Sequence, residues 1–546
     1  MGSHPYNDGT PMNVAHSAFA DLPLWHGALL LAPSALAASA AVAITRSRTV
    51  SQAWRLARVA SGVMVFAAVV ALGARTLTPQ RSDAVVRSDS VGAAVLLLVA
   101  VVGWVCIRYS AHYLRGDPHE VPYVRRLLAT LAAVLLVVVA NNIAVLTVAW
   151  TLTSLALHRL LTFFGDRPSA VAAAHKKFIL ARVADACMIG AVVAFVTTFE
   201  TLRIDQIAAD AVASSTLPTG ARIGVLLVAI AAILKCAQLP FHGWLIQVME
   251  APTPVSALLH AGVVNLGGVV LLRFAPVVDR SSGTQVLLVL IGTGTAVAAA
   301  LVMTTRISVK VSLAWSTCAQ MGFMLMECGL GAWGVALLHL LAHSLYKAHA
   351  FLAAGGTVRQ FQRKQLVATI DPPGVRTIIA ALIAASTVTV TVGWLWARLP
   401  FAEPVTATVW LLGAIVAFAL VPLVPLGPSV ASGRMAQAFV GVLAVPLAYF
   451  GLHNLFSHLV PSRDGAPTSL VAVVAVLFLG LFVVQTALRI TSDQRWLRRL
   501  YPWVFGGLFL DEQFTRMAFH RWPPPAVAPR FMLLPVPTSV VVKSFA

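Results

Sequence analysis

Long hydrophobic stretches, separated by short polar connections, run along nearly the whole chain. Most are about 18 to 24 residues long, which lets an α-helix cross a hydrocarbon core about 30 Å thick. The pattern predicts an all-α polytopic membrane protein with about 15 transmembrane helices. The predicted spans are residues 24–44, 57–77, 90–107, 127–140, 143–164, 177–199, 222–238, 254–275, 284–303, 307–328, 332–355, 376–397, 407–427, 435–456 and 468–489.

The same pattern divides the chain into three parts. Residues 1–23 form a polar lead-in, residues 24–490 the transmembrane domain, and residues 491–546 a C-terminal segment. The lead-in has no basic region followed by an apolar core, so we expect no cleaved signal peptide.

Composition and charge agree with a membrane protein. The chain is 59% hydrophobic and 11% charged, whereas a soluble domain carries about 25% charged residues. The net charge of +19 comes from basic residues that lie between the spans, so no basic domain for nucleic acid is indicated. Lys and Arg concentrate in the connections that follow odd-numbered spans, which predicts a periplasmic amino terminus and a cytoplasmic carboxyl terminus in the lipid of a bacterial inner membrane.

The sequence contains no convincing motif for a metal or a nucleotide cofactor. The five cysteines are scattered, without a CxxC pair, so we expect no iron–sulfur or zinc site. A GxGxxG match at Gly329–Gly334 lies between two predicted spans rather than between a strand and a helix. We therefore expect no metal, nucleotide or other cofactor, and no enzymatic activity in this chain itself.

The helical pattern is interrupted between Lys235 and Pro254. Pro240, Pro252 and Pro254 each remove a backbone donor and disfavour helix in the preceding residue. Free backbone groups at membrane depth are tolerated only where protein or a water-filled cavity satisfies them. The segment is predicted to be a discontinuous helix with a polar elbow, and the alternative is a simple loop. A second, softer interruption is predicted in the span from residue 332.

Ionisable residues inside the spans are the candidate functional residues, because a charge there costs several kcal/mol unless it is paired or hydrated. His339, His343 and Lys347 follow i, i+4, i+8 spacing and share one helix face. Such side chains can link helices by hydrogen bonds, but two histidines and a lysine on one face favour a path that loads and releases protons. The predicted ion-translocation residues are His158, Arg182, Asp185, Lys235, His260, His339, His343 and Lys347, together with Glu250 in the connection before the span that starts at Pro254.

The interrupted region also carries a family resemblance. Residues 235–245 read KCAQLPFHGWL and residues 249–261 read MEAPTPVSALLHA. These runs closely resemble the signature of the proton-conducting membrane subunits of respiratory complex I and of multisubunit cation/proton antiporters. Further matches in the same order are Lys176 with Arg182–Asp185, Gln320–Met324, and His339 through Lys347. The resemblance covers roughly residues 90–400 and implies two inverted five-helix repeats, each with a broken helix.

The resemblance implies a role for each matching residue. Lys235 resembles the central lysine on the broken helix, and His260 the histidine that connects it onward. His339, His343 and Lys347 resemble the connecting residues on the second broken helix. Arg182 and Asp185 match the charged pair of the first repeat.

Three departures from the family pattern are visible. Thr151 stands where the family carries a glutamate after Trp150. No terminal lysine is evident between Trp394 and Arg398, and the lateral helix of the complex I subunit is not evident after residue 490. Asp185 is the acid we place well inside a span, so it is expected to replace the missing glutamate as partner of Lys235, through water or His158. The alternative is a fixed Arg182–Asp185 ion pair.

One branch of the family fits these departures, namely the membrane subunit of the bacterial inorganic-carbon accumulation complex. The resemblance lies in residues 149–161, AWTLTSLALHRLL, and residues 507–516, GLFLDEQFTR. It implies a large cytoplasmic zinc-binding partner that resembles carbonic anhydrase and is driven by H+ or Na+ flow through this chain. The alternative is a subunit of a cation/proton antiporter or of a complex I-like proton-pumping oxidoreductase.

Overall fold

The computed structural model describes residues 24–45, 49–77, 81–356, 374–424, 432–460, 466–490 and 495–525. The described part is mostly helical and includes one small antiparallel sheet, in which β1 (Arg81–Ser82) pairs with β2 (Arg87–Ser88). The predicted lead-in, residues 1–23, and residues 526–546 of the C-terminal segment lie outside the described residues.

The helices are numbered in chain order. Helices α1 to α7 are Leu24–Thr45, Val50–Leu77, Ser90–Tyr113, Glu120–Val139, Ile143–Leu161, Pro168–Phe199 and Ile204–Ala213. Helices α8 to α14 are Thr219–Lys235, Gly243–Gln247, Thr253–Leu258, Leu266–Arg273, Ala275–Val278, Ser282–Met303 and Val309–Gly329. Helices α15 to α21 are Trp333–Leu352, Val375–Trp396, Ala407–Leu420, Ser432–Ser457, Thr468–Ile490, Arg495–Phe505 and Leu510–Arg521.

Many of these helices can cross a membrane. Among the described residues, ten helical stretches are long and apolar enough to do so, one of them Thr253–Arg273, and two apolar helical stretches are shorter. The three remaining predicted spans coincide with α8, α14 and α15, which are shorter or more polar. The chain is therefore a multi-pass membrane protein, while the count of about 15 spans stays a prediction.

Local sequence explains where several helices begin. Asp89 precedes α3 and its carboxylate accepts a hydrogen bond from the Gly92 amide at 2.7 Å. Asn142 precedes α5 and accepts from the amides of Ala144 and Val145. Asp and Asn are favoured at this position because they satisfy amides that have no partner inside the helix.

The bundle has two ends. Helix α13 has 22 residues, a length of about 33 Å. Beyond its last turn, the Arg306 guanidinium donates to the Val504 carbonyl of α20 at 3.1 Å. We call this end the C-terminal face. The opposite end, where α13 begins beside Arg280, is called the distal face.

Buried ion pairs hold the distal face together. Arg273 donates to the Asp89 carboxylate at 2.5 Å and to the Val138 carbonyl at 2.6 Å. Gly92 permits this approach, because a Cβ there would lie 2.6 Å from an Arg273 nitrogen. Asp205 accepts from Ser82 at 2.6 Å and Asn141 at 2.9 Å. We call these groups, together with Arg87 and Arg203, the distal network.

The second, softer interruption predicted in the span from residue 332, at Gly355 and Gly356, comes after the part that carries the His/Lys ladder. Helix α15 is continuous from Trp333 to Leu352 and ends in the 3-10 turn Ala353–Gly356. No proline occurs within α15, so its backbone hydrogen bonds are not broken. The ladder therefore lies on one unbroken helix face.

Candidate ion-translocation site

The elbow that follows Lys235 confirms the predicted discontinuous helix. Helix α8 ends at Lys235, and Ala237 adopts a positive φ of 52°. The Gln238 side chain donates to the Cys236 carbonyl at 2.8 Å, and the Leu239 amide donates to the Thr295 hydroxyl at 3.2 Å. The interruption is thus held inside the protein by polar side chains, which argues against the simple-loop alternative.

Lys235 lies at the centre of a first polar cluster. Lys235 is 7% exposed, and its Nζ atom lies over the Trp150 ring, 4.3 Å from the ring centroid. A cavity of about 20 Å³ separates Lys235 from Lys177 and Ser154, and a space of this size holds about one water.

Lys177 is a residue of this cluster that the sequence did not identify. Its ammonium donates to the Ser154 hydroxyl at 2.8 Å and also to the Ser154 carbonyl. The sequence match pointed to its neighbour Lys176, which instead pairs with Asp511 at 2.9 Å. Helical geometry could have told them apart, since nine residues separate Lys176 from Asp185 and place the two on opposite faces of α6.

The structure brings Arg182 and Asp185 together. The Arg182 guanidinium lies 2.6 Å from the Asp185 carboxylate, and the side chains are 35% and 8% exposed. The Asp185 carboxylate lies beside the Thr151 side chain and interacts electrostatically with Lys235 and Lys177. Asp185 therefore has both partners that the sequence offered, the arginine and the central lysine.

His158 lies at the edge of the same group. Its ring packs against Phe178, with centroids 5.5 Å apart, and it interacts electrostatically with Lys177. We call Lys177, Lys235, Asp185, Arg182 and His158 the lysine cluster.

His260 begins a second polar group. It lies in a π-helical turn, Leu259–Val263, between α10 and α11. Its Nδ1 atom lies 3.0 Å from the Thr317 hydroxyl, and its ring stacks on Phe351 with centroids 4.3 Å apart. Single π turns inside helices are frequent at functional sites because they displace side chains from the regular helical position.

The ladder on α15 continues from His260. The Lys347 ammonium donates to the Leu313 carbonyl at 3.0 Å and interacts electrostatically with His260. His343 lies beside the backbone carbonyl of His260, and its ring is 6.1 Å from that of His339.

Glu327 closes this second group. Its carboxylate lies 2.9 Å from His339 Nδ1, and the residue is 1% exposed. The sequence placed this acid at a span end and gave it no role, although it lies twelve positions before His339 across a short turn. We call His260, Lys347, His343, His339 and Glu327 the histidine cluster.

The π turn lies between the two clusters. Val263, at its end, lines the cavity that holds Lys235 and Lys177, while His260 on the same turn faces Thr317. One short segment therefore contacts both groups.

Glu250 is not brought together with either cluster. Its carboxylate pairs with Arg167 at 2.6 Å, and the two side chains are 37% and 50% exposed. The two residues lie in two different connections, both outside the predicted spans.

The C-terminal helices pack onto the elbow. Asp511 accepts from Lys176 at 2.9 Å and from Gln247 at 2.7 Å. A Cβ on Gly243 would lie 1.5 Å from the Asp511 carboxylate, so a larger residue there would displace Asp511 from this position. Phe514 packs edge-on against Phe241, with centroids 5.5 Å apart. The run that includes Asp511 thus fastens the C-terminal segment to the broken helix.

The described part of the chain shows no candidate metal-binding site. No group of three or more His, Cys, Asp or Glu side chains there could hold a metal ion.

Comparisons with known proteins agree with this architecture. The family described as "NADH:quinone oxidoreductase/Mrp antiporter, TM" matches residues 140–423. A "Probable inorganic carbon transporter subunit DabB" of Hydrogenovibrio crunogenus is 41% identical over 79% of this chain and 82% of that protein. The DabB2 subunit of Halothiobacillus neapolitanus is 37% identical over 83% of each chain.

A solved structure shares the fold. A chain of the Mrp complex from Dietzia sp. superposes with a TM-score of 0.62 and 23% identity, covering 90% of this chain and 59% of that one. The chain therefore belongs to the NADH:quinone oxidoreductase/Mrp antiporter family of membrane subunits, in the branch of the DabB inorganic carbon transporter subunits.

Proposed function

We propose that this chain conducts H+ or Na+ across the membrane and thereby energises inorganic carbon accumulation by a cytoplasmic partner. The observation that carries the proposal is the pair of buried polar clusters joined by the π turn at His260. Charged and titratable side chains at this depth are costly, and membrane proteins retain them mainly along ion paths.

The two clusters divide the work of such a path. In the lysine cluster, Lys235 has two charged neighbours. The Asp185 carboxylate attracts the protonated amine, whereas the Lys177 ammonium repels it. A proton on Lys235 is favoured when Asp185 is close and disfavoured when Asp185 turns to Arg182. In the histidine cluster, an imidazole can accept a proton on one ring nitrogen and give one up from the other, so neighbouring imidazoles can pass a proton onward.

The partner is proposed to be a large cytoplasmic zinc-binding, carbonic-anhydrase-like subunit. Relatives carry names of inorganic carbon transporter subunits, which supports a carbon substrate. CO2 and water would become bicarbonate and a proton on the partner, and cation flow through this chain would make that reaction directional. The chain itself would be a transporter subunit rather than an enzyme.

The proposed arrangement in the membrane has about 15 spans with inverted five-helix repeats. The described helices support this arrangement, because each predicted span coincides with one helix or with a pair of consecutive helices. The C-terminal helices contact the connections near His175, Gln247 and Arg306, all assigned to the cytoplasm by their charge pattern. We therefore propose a cytoplasmic C-terminal face in a bacterial inner membrane, with the amino terminus periplasmic.

The C-terminal face is the proposed docking surface for the partner. Large aromatic side chains remain exposed along α20 and in the residues that follow α20 and α21. They are Trp496, Tyr501, Trp503, Phe505, Phe509 and Trp522. Aromatic residues are common anchors in protein interfaces, although they also form belts at the membrane surface. Truncation after residue 492 should release the partner, whereas truncation after residue 525 should retain it; retention in both would favour the belt.

A second candidate function is a subunit of a cation/proton antiporter or of a complex I-like proton-pumping oxidoreductase. The match of residues 140–423 to the antiporter family favours it. Such a subunit would exchange or pump cations without any carbon substrate.

Purification in mild detergent and transport assays distinguish the carbon-accumulation subunit from the antiporter or complex I-like subunit. We expect a zinc protein to co-elute with the chain, and cells that carry both to accumulate inorganic carbon until an ionophore collapses the cation gradient. Proton and sodium ionophores applied separately identify the coupling ion. Cation exchange in vesicles that contain the chain and lack any carbon substrate would favour the antiporter instead.

A further inference from the structure

Glu327 lies where the histidine cluster approaches the distal face. We propose that Glu327 is the carboxylate through which the coupling proton passes between this cluster and the distal face, an inference that rests on the proposed conducting function. The carboxylate lies 2.9 Å from His339 Nδ1. At this distance a proton can be transferred directly between the two groups.

The position of Glu327 supports a terminal role. His339 is closer to the start of α15 than Lys347, and the eight positions from one to the other correspond to about 12 Å along the helix. Glu327 lies two residues before the end of α14, at the same end of the bundle. The cluster therefore extends from Lys347 towards the distal face and ends at Glu327.

A wide cavity lies next to this end. Its volume is about 830 Å³, and Asp279, Arg273 and Arg280 are among the residues that line it. Asp279 accepts a hydrogen bond from the Trp333 indole at 2.9 Å. The Gly331 turn packs against Asp279, because a Cβ at Gly331 would lie 3.5 Å from its carboxylate. The turn that follows Glu327 thus contacts Asp279, one of the residues that line the cavity.

The segment from Trp394 to Arg398 supplies no lysine for this role. Arg398 is the basic residue in the segment where the family pattern predicts a terminal lysine. Its guanidinium lies over the Trp394 ring, 3.1 Å from the centroid, and donates to the Trp394 carbonyl at 3.4 Å. Glu327, in contrast, is buried and contacts His339 directly.

Glu327 also differs from Glu120, a second buried glutamate, in the groups that bond to its carboxylate. Glu120 accepts hydrogen bonds from the Trp54 indole at 2.5 Å and the Gly116 amide at 2.8 Å, two donors that do not titrate near neutral pH. The hydrogen-bond partner of Glu327 is an imidazole, which can both give and take a proton. The two side chains therefore form a donor–acceptor pair along which a proton can move.

The test is Glu327→Gln, measured as inorganic carbon uptake by cells that carry the chain and its partner. Glutamine keeps the size and a hydrogen bond to His339 but cannot ionise. We expect uptake per molecule to fall by about 10²-fold, a typical loss for a positioned proton-transfer group, with unchanged co-purification of the partner. Glu327→Asp should retain part of the uptake. The matched control is Glu120→Gln, at a glutamate that is also buried, which should transport normally.

Lys235→Ala, measured in parallel, separates the two proposals. Normal uptake by Glu327→Gln with none by Lys235→Ala overturns the role of Glu327 and leaves the conducting function standing. Normal uptake by both variants overturns the conducting function as well. If Glu327→Gln does not accumulate in the membrane, His339→Gln decides, because normal uptake by that variant would make the partner of Glu327 dispensable and overturn the proposal.

Discussion

The distal network and the two interior clusters both bury charged side chains, but they satisfy them differently. Asp89 is bonded to Gly92 and Arg273, and Asp205 accepts from Ser82 and Asn141. Among the described residues of the distal network, both carboxylates are bonded, and Arg273 Nε is the buried side-chain atom without a hydrogen-bond partner. In the interior, several functional atoms have none among the described protein groups, including Lys235 Nζ, His260 Nε2 and His339 Nε2.

This difference separates structural from transport roles. Buried polar groups that stabilise a fold are normally hydrogen-bonded, because an unmade bond costs about 1–3 kcal/mol. A group that must bind and release an ion needs an atom that is not permanently bonded. The comparison predicts that substitutions in the clusters impair transport in a folded protein, whereas substitutions in the distal network impair folding.

Lys235→Ala should have the largest effect on transport. The substitution removes the amine that lies over Trp150 at the end of α8. We expect inorganic carbon uptake to be lost while the protein reaches the membrane and binds its partner. Lys310→Ala, at a lysine that donates to Thr253 at 3.1 Å, is the control. Full uptake by a well-expressed Lys235→Ala protein would remove Lys235 from the path, and absence of the protein from the membrane would make it structural.

Asp185→Asn should have the next largest effect. The carboxylate contacts Arg182 at 2.6 Å and lies beside Thr151, the position where the family carries its glutamate. If Asp185 modulates Lys235, uptake should fall by about 10²-fold, and adding Thr151→Glu should partly restore it. Uptake assays with the single and double variants provide the measurement. Unfolding of Asp185→Asn, or no rescue, would instead support a fixed ion pair that braces α6.

The sequence predicted the fold better than the site. Hydrophobic spans identify helices because each must bury about 20 apolar residues in lipid, and the prolines after Lys235 located the elbow. Partners across helices were harder to predict, since burial of Glu327 at a helix end depends on how α15 packs. Lys176 and Lys177 differ by one position, and only the helical phase of α6 decides which one faces Lys235. The family motif marked Asp511, but its bond to Lys176 required the fold of the C-terminal helices.

Asp89→Asn should reduce stability rather than transport per molecule. Burial opposes ionisation of Asp89, but Arg273 and Arg87 hold the pKa of that carboxyl below its ordinary value. Its stabilising effect is therefore present above about pH 4 and is lost as the pH falls through the lowered pKa. The variant leaves Arg273 buried without a charged partner, at a cost of about 3–5 kcal/mol.

Thermal unfolding in detergent at several pH values measures this effect. The wild-type protein should lose stability in acid, and Asp89→Asn should be less stable than wild type at neutral pH with a smaller further loss in acid. Equal stability of the two proteins at neutral pH would contradict a structural role for the distal network. Uptake per folded molecule should stay near the wild-type value.

Glu250→Gln should have the smallest effect, and it tests a residue that the sequence proposed for the ion path. Its carboxylate pairs with Arg167 at 2.6 Å, and both side chains are more than a third exposed. Exposed ion pairs contribute about 0–1 kcal/mol, so neither stability nor inorganic carbon uptake should change measurably. Glu327→Gln makes the same chemical change at a buried glutamate of the histidine cluster, which makes the two variants a direct comparison of position. A tenfold loss of uptake in Glu250→Gln, equal to about 1.4 kcal/mol in the transport barrier, would extend the path to the surface of the C-terminal face.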